Sequence, residues 1–325
     1  MITSKKKIYF RADADKKIGF GHFTRCLALA DMLKNNFDCT FFTQTPSDYQ
    51  KTEIKKICSY IELPNDDSKF QKFLEYLDGE ETVVLDNYFF TSDYQQKIKY
   101  KGCKLVCIGA NDRHYYSDVL ISMAENDKSV FSVEPYSKIY LGIDWVILRK
   151  PFREIKRKVI NKKNNIVICF GGTDQFMLTE KFVNILQDSY KFDEIHLIAT
   201  DNFGKDRFTL LENKGVKCHI NVSAEEIVRT LTNSKCLISS SSTISSEALS
   251  CEIPVICGYY VENQKKMYQY LIKENLVLGL SNLLIPEMKK KLLLYLNDLE
   301  SYTQKLHKKS FDELENKYLG LFKSL

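Results

Sequence analysis

Apolar and polar positions along the chain follow two alternating rhythms. Short apolar runs at Lys7–Ala12, Cys39–Thr43, Thr82–Asp86, Leu105–Ile108 and Val119–Ile121 have the length and side-chain content of strands. Between them, apolar residues recur at helical spacing. His22 to Asn35 carries Phe23, Cys26, Leu27, Ala30 and Leu33 on one face, and Ser47–Tyr60, Ser68–Leu77 and Ser92–Tyr100 read as further helices. The second half restarts the rhythm. Strands are expected at Ile166–Phe170, Glu194–Ala199, Val216–Ile220, Cys236–Ser239 and Pro254–Cys257. Helices are expected from about Leu178 and at Ala224–Thr232, Ile244–Cys251, Asn263–Lys273, Pro286–Leu299 and Tyr302–Phe322.

Strand–helix alternation calls for an α/β fold with parallel sheets covered on both faces. The rhythm breaks between Tyr140 and Asn164, a stretch that holds Pro151 and the charged run Arg153–Lys163. We read it as the junction of two doubly wound, Rossmann-like domains, 1–150 and 151–325, facing each other across a cleft. A crevice of that kind is a natural ligand site.

Composition narrows the function. The 325 residues carry 47 basic and 42 acidic groups, a net charge of +5 spread along the whole length. Lysine dominates the basic set, and runs such as Lys289–Lys291 read as solvated helix faces. A nucleic-acid binder would concentrate basic charge in a stripe with arginine at the contacts, so nucleic acid is not an expected partner. No apolar stretch is long enough for a membrane-spanning helix, and Ile8–Phe10 is too short for a signal segment, so a cytoplasmic location is expected. The ten cysteines form no C-x-x-C pair and sit mostly in apolar runs, the pattern of buried reduced thiols rather than a zinc site.

Glycine is scarce, 13 of 325, and four glycines stand in two loops. The first loop runs from Arg11 through Asp13, Gly19 and Gly21 to His22, between a strand and a helix. Its glycines let the backbone turn sharply and approach a ligand, and the helix start offers free N–H groups to a diphosphate. A histidine there can act as a general base near neutral pH; the plain alternative is a cap or a phosphate contact. Of the other histidines, His196 and His219 lie in apolar strands, His307 on a charged helix and His114 in a loop. The second loop is Phe170-Gly171-Gly172-Thr173-Asp174, with helix capping by Thr173 or Asp174 as the plain alternative. The third cluster, Ser239 to Glu247, follows a strand with hydroxyls suited to phosphate and a carboxylate suited to a vicinal diol such as ribose. Its plain alternative is a capping box completed by Glu247. Asn263 and Gln264 could read a sugar or base, or simply begin a helix.

Together these segments resemble the nucleotide-sugar hydrolases of the pseudaminic acid pathway, relatives of glycosyltransferases of the GT-B fold. The matching residues are Arg11-x-Asp13, Gly19-x-Gly21-His22-x-x-Arg25, Asp86-x-Tyr88, Tyr140-Leu141-Gly142 through Leu148-Arg149, Phe170–Asp174, Ser242-Thr243, Glu247-Ala248-Leu249 and Asn263-Gln264, in family order over about residues 7–280. The resemblance implies a GT-B-like architecture and hydrolysis of a UDP-linked diacetamido trideoxy sugar to UDP and free sugar, with no metal or other cofactor. By that analogy His22 positions or deprotonates the attacking water and Asp13 orients it. Arg25 and Asp86 belong to the binding set, and Tyr88 lines the sugar pocket. Gly171, Gly172, Thr173, Ser242 and Thr243 hold the diphosphate with Asn263 and Gln264 nearby, and Glu247 takes the ribose. The chain departs from the family where an acidic pair usually follows the fourth main strand. Gly109-Ala110-Asn111-Asp112 stands there, with Asp112 and His114 as candidate substitutes. A transferase on the same scaffold and a non-catalytic nucleotide-sugar binder remain the alternatives, because function lives in the site rather than the fold.

Overall fold

The computed structural model describes residues 5–15, 18–110, 112–155, 163–171 and 174–325. Two compact units are present, one of Met1–Lys150 with Asp312–Leu325, the other of Pro151–Phe311.

The first unit runs β1 (Lys7–Arg11), α1 (Gly21–Leu33), β2 (Asp38–Gln44), α2 (Asp48–Lys55), β3 (Ser59–Leu63), α3 (Ser68–Glu75), β4 (Thr82–Leu85), α4 (Ser92–Tyr100) and β5 (Lys104–Ile108). Then follow β6 (His114–Tyr115), β7 (Val119–Ser122), β8 (Ser132–Val133), β9 (Lys138–Leu141) and the short α5 (Lys150–Arg153) at the boundary. Seven strands form one parallel sheet in the order β3-β2-β1-β4-β5-β7-β9. Successive side chains of a strand point to opposite faces, and the core follows that alternation. Phe10, Phe41 and Val84 pack with α1, whereas Phe42, Val83 and Leu85 pack with Phe73 of α3 and Ile98 of α4.

The second unit runs β10 (Asn165–Cys169), α6 (Leu178–Ser189), β11 (Glu194–Ala199), α7 (Lys205–Asn213), β12 (Val216–Ile220), α8 (Ala224–Thr232), β13 (Cys236–Ser240), α9 (Thr243–Ser250), β14 (Val255–Tyr259), α10 (Glu262–Lys273) and β15 (Leu278–Asn282). Its six strands are also all parallel, in the order β12-β11-β10-β13-β14-β15. This is the doubly wound dinucleotide-binding order, in which the winding reverses beside the first strand. The reversal lies between β1 and β4 in the first unit and between β10 and β13 in the second. Strands around these points are continuous buried apolar runs, as expected for a sheet covered on both faces.

Three expectations need correction. The run Ser47–Tyr60 is not one helix: α2 ends at Lys55 and Ser59 opens β3, an edge strand whose half-exposed residues give little apolar signal. The stretch Tyr302–Phe322 is not one helix either. After α11 (Glu287–Asn297), α12 (Leu299–Gln304) stops and α13 (Leu314–Lys323) begins later. Between them His307 leaves the helix, donating its main-chain N–H to the Asn275 carbonyl (2.8 Å), while its ring Nδ1 bonds the Glu274 carbonyl (2.9 Å). Finally, the expected boundary 151–325 runs too far, because Asp312–Leu325 joins the first unit. The cause is apolar: Tyr318, Leu321 and Phe322 are buried in the α1 face of the first core.

Candidate functional site

Each reversal point gathers the residues singled out in the sequence. In the first unit the loop after β1 leads to α1. Gly19 sits at φ +82°, a left-handed conformation that favours glycine. Helix α1 starts at Gly21 with Phe20 at its N-cap, and among the described residues neither a side-chain cap bond nor a first-turn acid occupies its N-terminus. Among the described residues its first-turn N–H groups therefore have no capping side chain.

Strands β1 and β4 pair in register, Arg11 opposite Leu85, which brings Asp86, the residue just after β4, up to α1. Buried Asp86 lies 2.7 Å from His22 Nδ1 and accepts two bonds from Arg25, from Nε at 2.7 Å and from Nη2 at 2.6 Å. Burial pushes the Asp86 carboxyl up, but the Arg25 charge and the hydrogen bonds from His22 and Arg25 more than reverse this and hold it below the usual carboxylate range. Burial likewise pulls Arg25 down, and Asp86 reverses that and raises it. An ionised Asp86 only accepts, so among the tautomers of a neutral His22 ring it favours the one that carries its proton on Nδ1. That leaves Nε2 with its lone pair, the form a general base needs. The Tyr88 ring stands edge-on to the His22 ring, centroids 4.5 Å apart.

The carboxylate on His22 is thus Asp86, not Asp13 as expected. Fully buried Asp13 forms a two-pronged ion pair with Arg11 and accepts the Gln44 N–H at 2.8 Å, with the Lys69 ammonium 3.4 Å away. Its own N–H donates to the Asn87 side chain (2.7 Å), which returns a bond to the Asp13 carbonyl (3.3 Å). Asp13 therefore ties β1 to β2 and to the segment after β4. The departure at Gly109 also has a physical account. A Cβ there would lie 2.2 Å from the buried Tyr115 hydroxyl, so the position admits only glycine as packed. Asn111 lies outside the described residues. Asp112 pairs with Arg113, and His114, in β6 rather than a loop, bonds Ser132 and Glu134.

In the second unit Gly171 follows β10 at φ +91°, while Gly172 and Thr173 lie outside the described residues. Asp174 takes the plain reading. It accepts the N–H groups of Leu178 (3.0 Å) and Thr179 (2.8 Å) and so caps α6. The serine turn after β13 divides its hydroxyls. Ser239 bonds Ser245 (2.9 Å), Ser245 lies 2.7 Å from the Ser240 carbonyl, and Ser241 donates to the Gly258 carbonyl (3.0 Å). These three build the turn. Ser242, the N-cap of α9, makes no side-chain cap bond among the described residues, and it and Thr243 are only half-buried. The capping box that was the plain alternative does not form among the described residues. Glu247 is buried in α9 and Asn263 exposed at the start of α10. Gln264 accepts the Tyr260 N–H (3.2 Å) and donates to Ser240 Oγ (3.3 Å), pinning the loop after β14 to the serine turn.

Sequence reasoning missed Arg113. Its one available signal is that it is among only eight arginines in the chain.

No protein-family model matches the chain. By sequence, 284 residues are 26% identical to the UDP-2,4-diacetamido-2,4,6-trideoxy-beta-L-altropyranose hydrolase of Campylobacter jejuni, spanning 82% of this chain and 97% of that protein. Among solved structures, Acinetobacter baumannii MurG superposes with a TM-score of 0.62 at 10% identity, covering 98% of this chain and 100% of the other. Anabaena HepE in complex with UDP gives 0.59 at 12% identity over 98% and 100%. The solved structures establish the fold. The chain is a distant relative of the Campylobacter hydrolase, built on an α/β fold of the GT-B type.

Proposed function

We propose that the protein hydrolyses a UDP-linked diacetamido trideoxy sugar to UDP and the free sugar, a step of pseudaminic acid biosynthesis in the cytoplasm. The observation that carries the reading is the Arg25–Asp86–His22 relay, which fixes the His22 ring with Nε2 as acceptor. The similarity to the Campylobacter hydrolase supplies the substrate class.

In this reaction His22 Nε2 accepts a proton from water as the water oxygen bonds to the anomeric carbon. The bond from that carbon to the phosphate oxygen breaks, and its electron pair leaves with UDP. Asp86 stabilises the imidazolium that forms, as the carboxylate of a nucleophile–base–acid set does. Tyr88, half-exposed beside His22, lines the sugar pocket. Arg25 acts through Asp86, and Gly19 and Gly21 let the backbone of the first loop come close to the sugar phosphate.

The nucleotide falls to the second unit. Ser242 and Thr243 hydroxyls and the first N–H groups of α9 suit the diphosphate, and the Gly171–Thr173 loop joins them. Glu247 takes the ribose, and Asn263 and Gln264 flank it, Gln264 chiefly by fixing the serine turn.

The test is to incubate purified protein with the UDP-sugar and no acceptor, following UDP and free sugar together. Equimolar release that is lost in His22→Ala supports hydrolysis. Release only after a sugar or lipid acceptor is added overturns it in favour of transfer, and tight binding without release overturns it in favour of a binding protein.

A further inference from the structure

We propose that Arg113 is a positioning residue that holds the Tyr88 segment against His22. The proposal rests on the reading of His22 and Tyr88 given above.

Tyr88 is 55% exposed, so burial of its own side chain does little to fix it. Its place beside His22 depends on how the segment after β4 is anchored. Arg113 supplies two of the anchors. Its Nη1 donates to the Phe90 carbonyl at 2.5 Å and its Nη2 to the Tyr88 carbonyl at 2.8 Å. These residues flank Phe89, so the guanidinium bridges the two carbonyls of the turn that presents the Tyr88 ring.

The guanidinium is itself fixed. Asp112 accepts from Nε at 3.1 Å and from Nη2 at 2.7 Å, filling the other edge of the fork. The Tyr115 hydroxyl lies 3.3 Å from Asp112 Oδ1 and donates to the Ala110 carbonyl at 2.7 Å. Tyr115 occupies that position because residue 109 has no Cβ. A chain of contacts thus runs from Gly109 through Tyr115, Asp112 and Arg113 to the Tyr88 backbone, and from the Tyr88 ring to His22. A planar fork that grips two carbonyls and one carboxylate is arginine's chemistry, and a lysine point charge cannot reproduce it.

Arg113→Ala tests this with two independent readouts. In turnover of the UDP-sugar, kcat is expected to fall roughly 10²-fold, the scale of an ångström-level misplacement, with KM little changed. Arg113→Lys should not restore it, whereas millimolar guanidinium added to Arg113→Ala should restore part. In the free protein, amide hydrogen exchange over residues 86–91 should speed up while β1 and β5 stay protected. Asp112→Asn, which keeps the guanidinium but loosens it, should give an intermediate loss in both readouts and serves if Arg113→Ala does not fold. Unchanged exchange and unchanged kcat in these variants overturn the proposal, as does full activity in Arg113→Lys. If the wild type releases no UDP, the hydrolase reading fails, while the exchange result still decides whether Arg113 anchors the segment.

Discussion

Asp86 is the residue on which the candidate chemistry turns. It is buried, ionised and shared between a histidine and an arginine. Its replacement by Asn should therefore act twice. An amide can offer Nδ1 an N–H as easily as an oxygen, so the ring loses its fixed tautomer, and UDP release should fall roughly 10²–10⁴-fold. It also leaves Arg25, whose side chain is 19% exposed, without its counter-charge, at a cost of about 3 kcal/mol in unfolding free energy, the low end for a broken buried pair. His22→Ala keeps the Asp86–Arg25 pair and should lose activity with a much smaller loss of stability. Denaturant unfolding beside turnover of both variants checks the distinction. At this scale the sequence was legible in part. His22 stood out because a glycine loop and a helix start frame it. Its partner did not, because Asp13 is nine positions away and Asp86 is sixty-four, and only the pairing of β1 with β4 reverses that order of proximity. Arg113 was hidden for a related reason: it grips main-chain carbonyls, which leave no trace in the residue types at 88 and 90.

At the scale of elements, runs with clear apolar periodicity were readable, the edge strand Val216–Ile220 among them, and two other edge strands were not. Ser92–Tyr100, Glu194–Ala199, Val216–Ile220 and Ala224–Thr232 appear with the expected bounds, since apolar periodicity and caps agree there. Ser59–Leu63 and Leu278–Asn282 escaped the reading. The first is half-exposed, and the second mixes glycine and polar residues into a short run. Two neighbouring strands carry an effect that neither shows alone. His196 on β11 and His219 on β12 meet with Nδ1 and Nε2 2.9 Å apart, while Glu194 and Asn165 lie on the far side of His196 and Glu226 of α8 on His219. Burial first, and the His219 charge next, hold the His196 pKa below its usual value despite Glu194, with Lys217 adding to the lowering. The folded state therefore binds fewer protons than the unfolded chain. The stability tied to this group is fully present above the unfolded value of about 6.5, and is lost as pH falls from there through the lowered folded pKa. Thermal melts between pH 5 and 7 should show the melting temperature falling toward acid, with a shallower slope in His196→Gln. An identical slope contradicts the assignment.

At the scale of the whole molecule, two doubly wound units follow from the alternating pattern, but the path of the last segment does not. Nothing in an amphipathic C-terminal stretch says which core it covers. The structure gives Tyr318 to the first unit, where it is fully buried, meets Trp145 edge-on at 5.5 Å and donates to the Trp145 carbonyl at 2.6 Å. Tyr318→Ala should cost about 3–5 kcal/mol. Trp145 is the one tryptophan in the chain, so its fluorescence reports this unit's unfolding and should also shift in the folded variant. A variant with unchanged emission and stability contradicts the packing.

The most direct test of the function is turnover of the UDP-linked diacetamido sugar in ¹⁸O-labelled water without any acceptor, with the UDP analysed by mass. Attack of water on the anomeric carbon, promoted by His22, predicts UDP and free sugar in equal amounts, UDP free of label, and no product from His22→Ala. Label in the UDP, release that survives loss of His22, or no release at all contradicts the account.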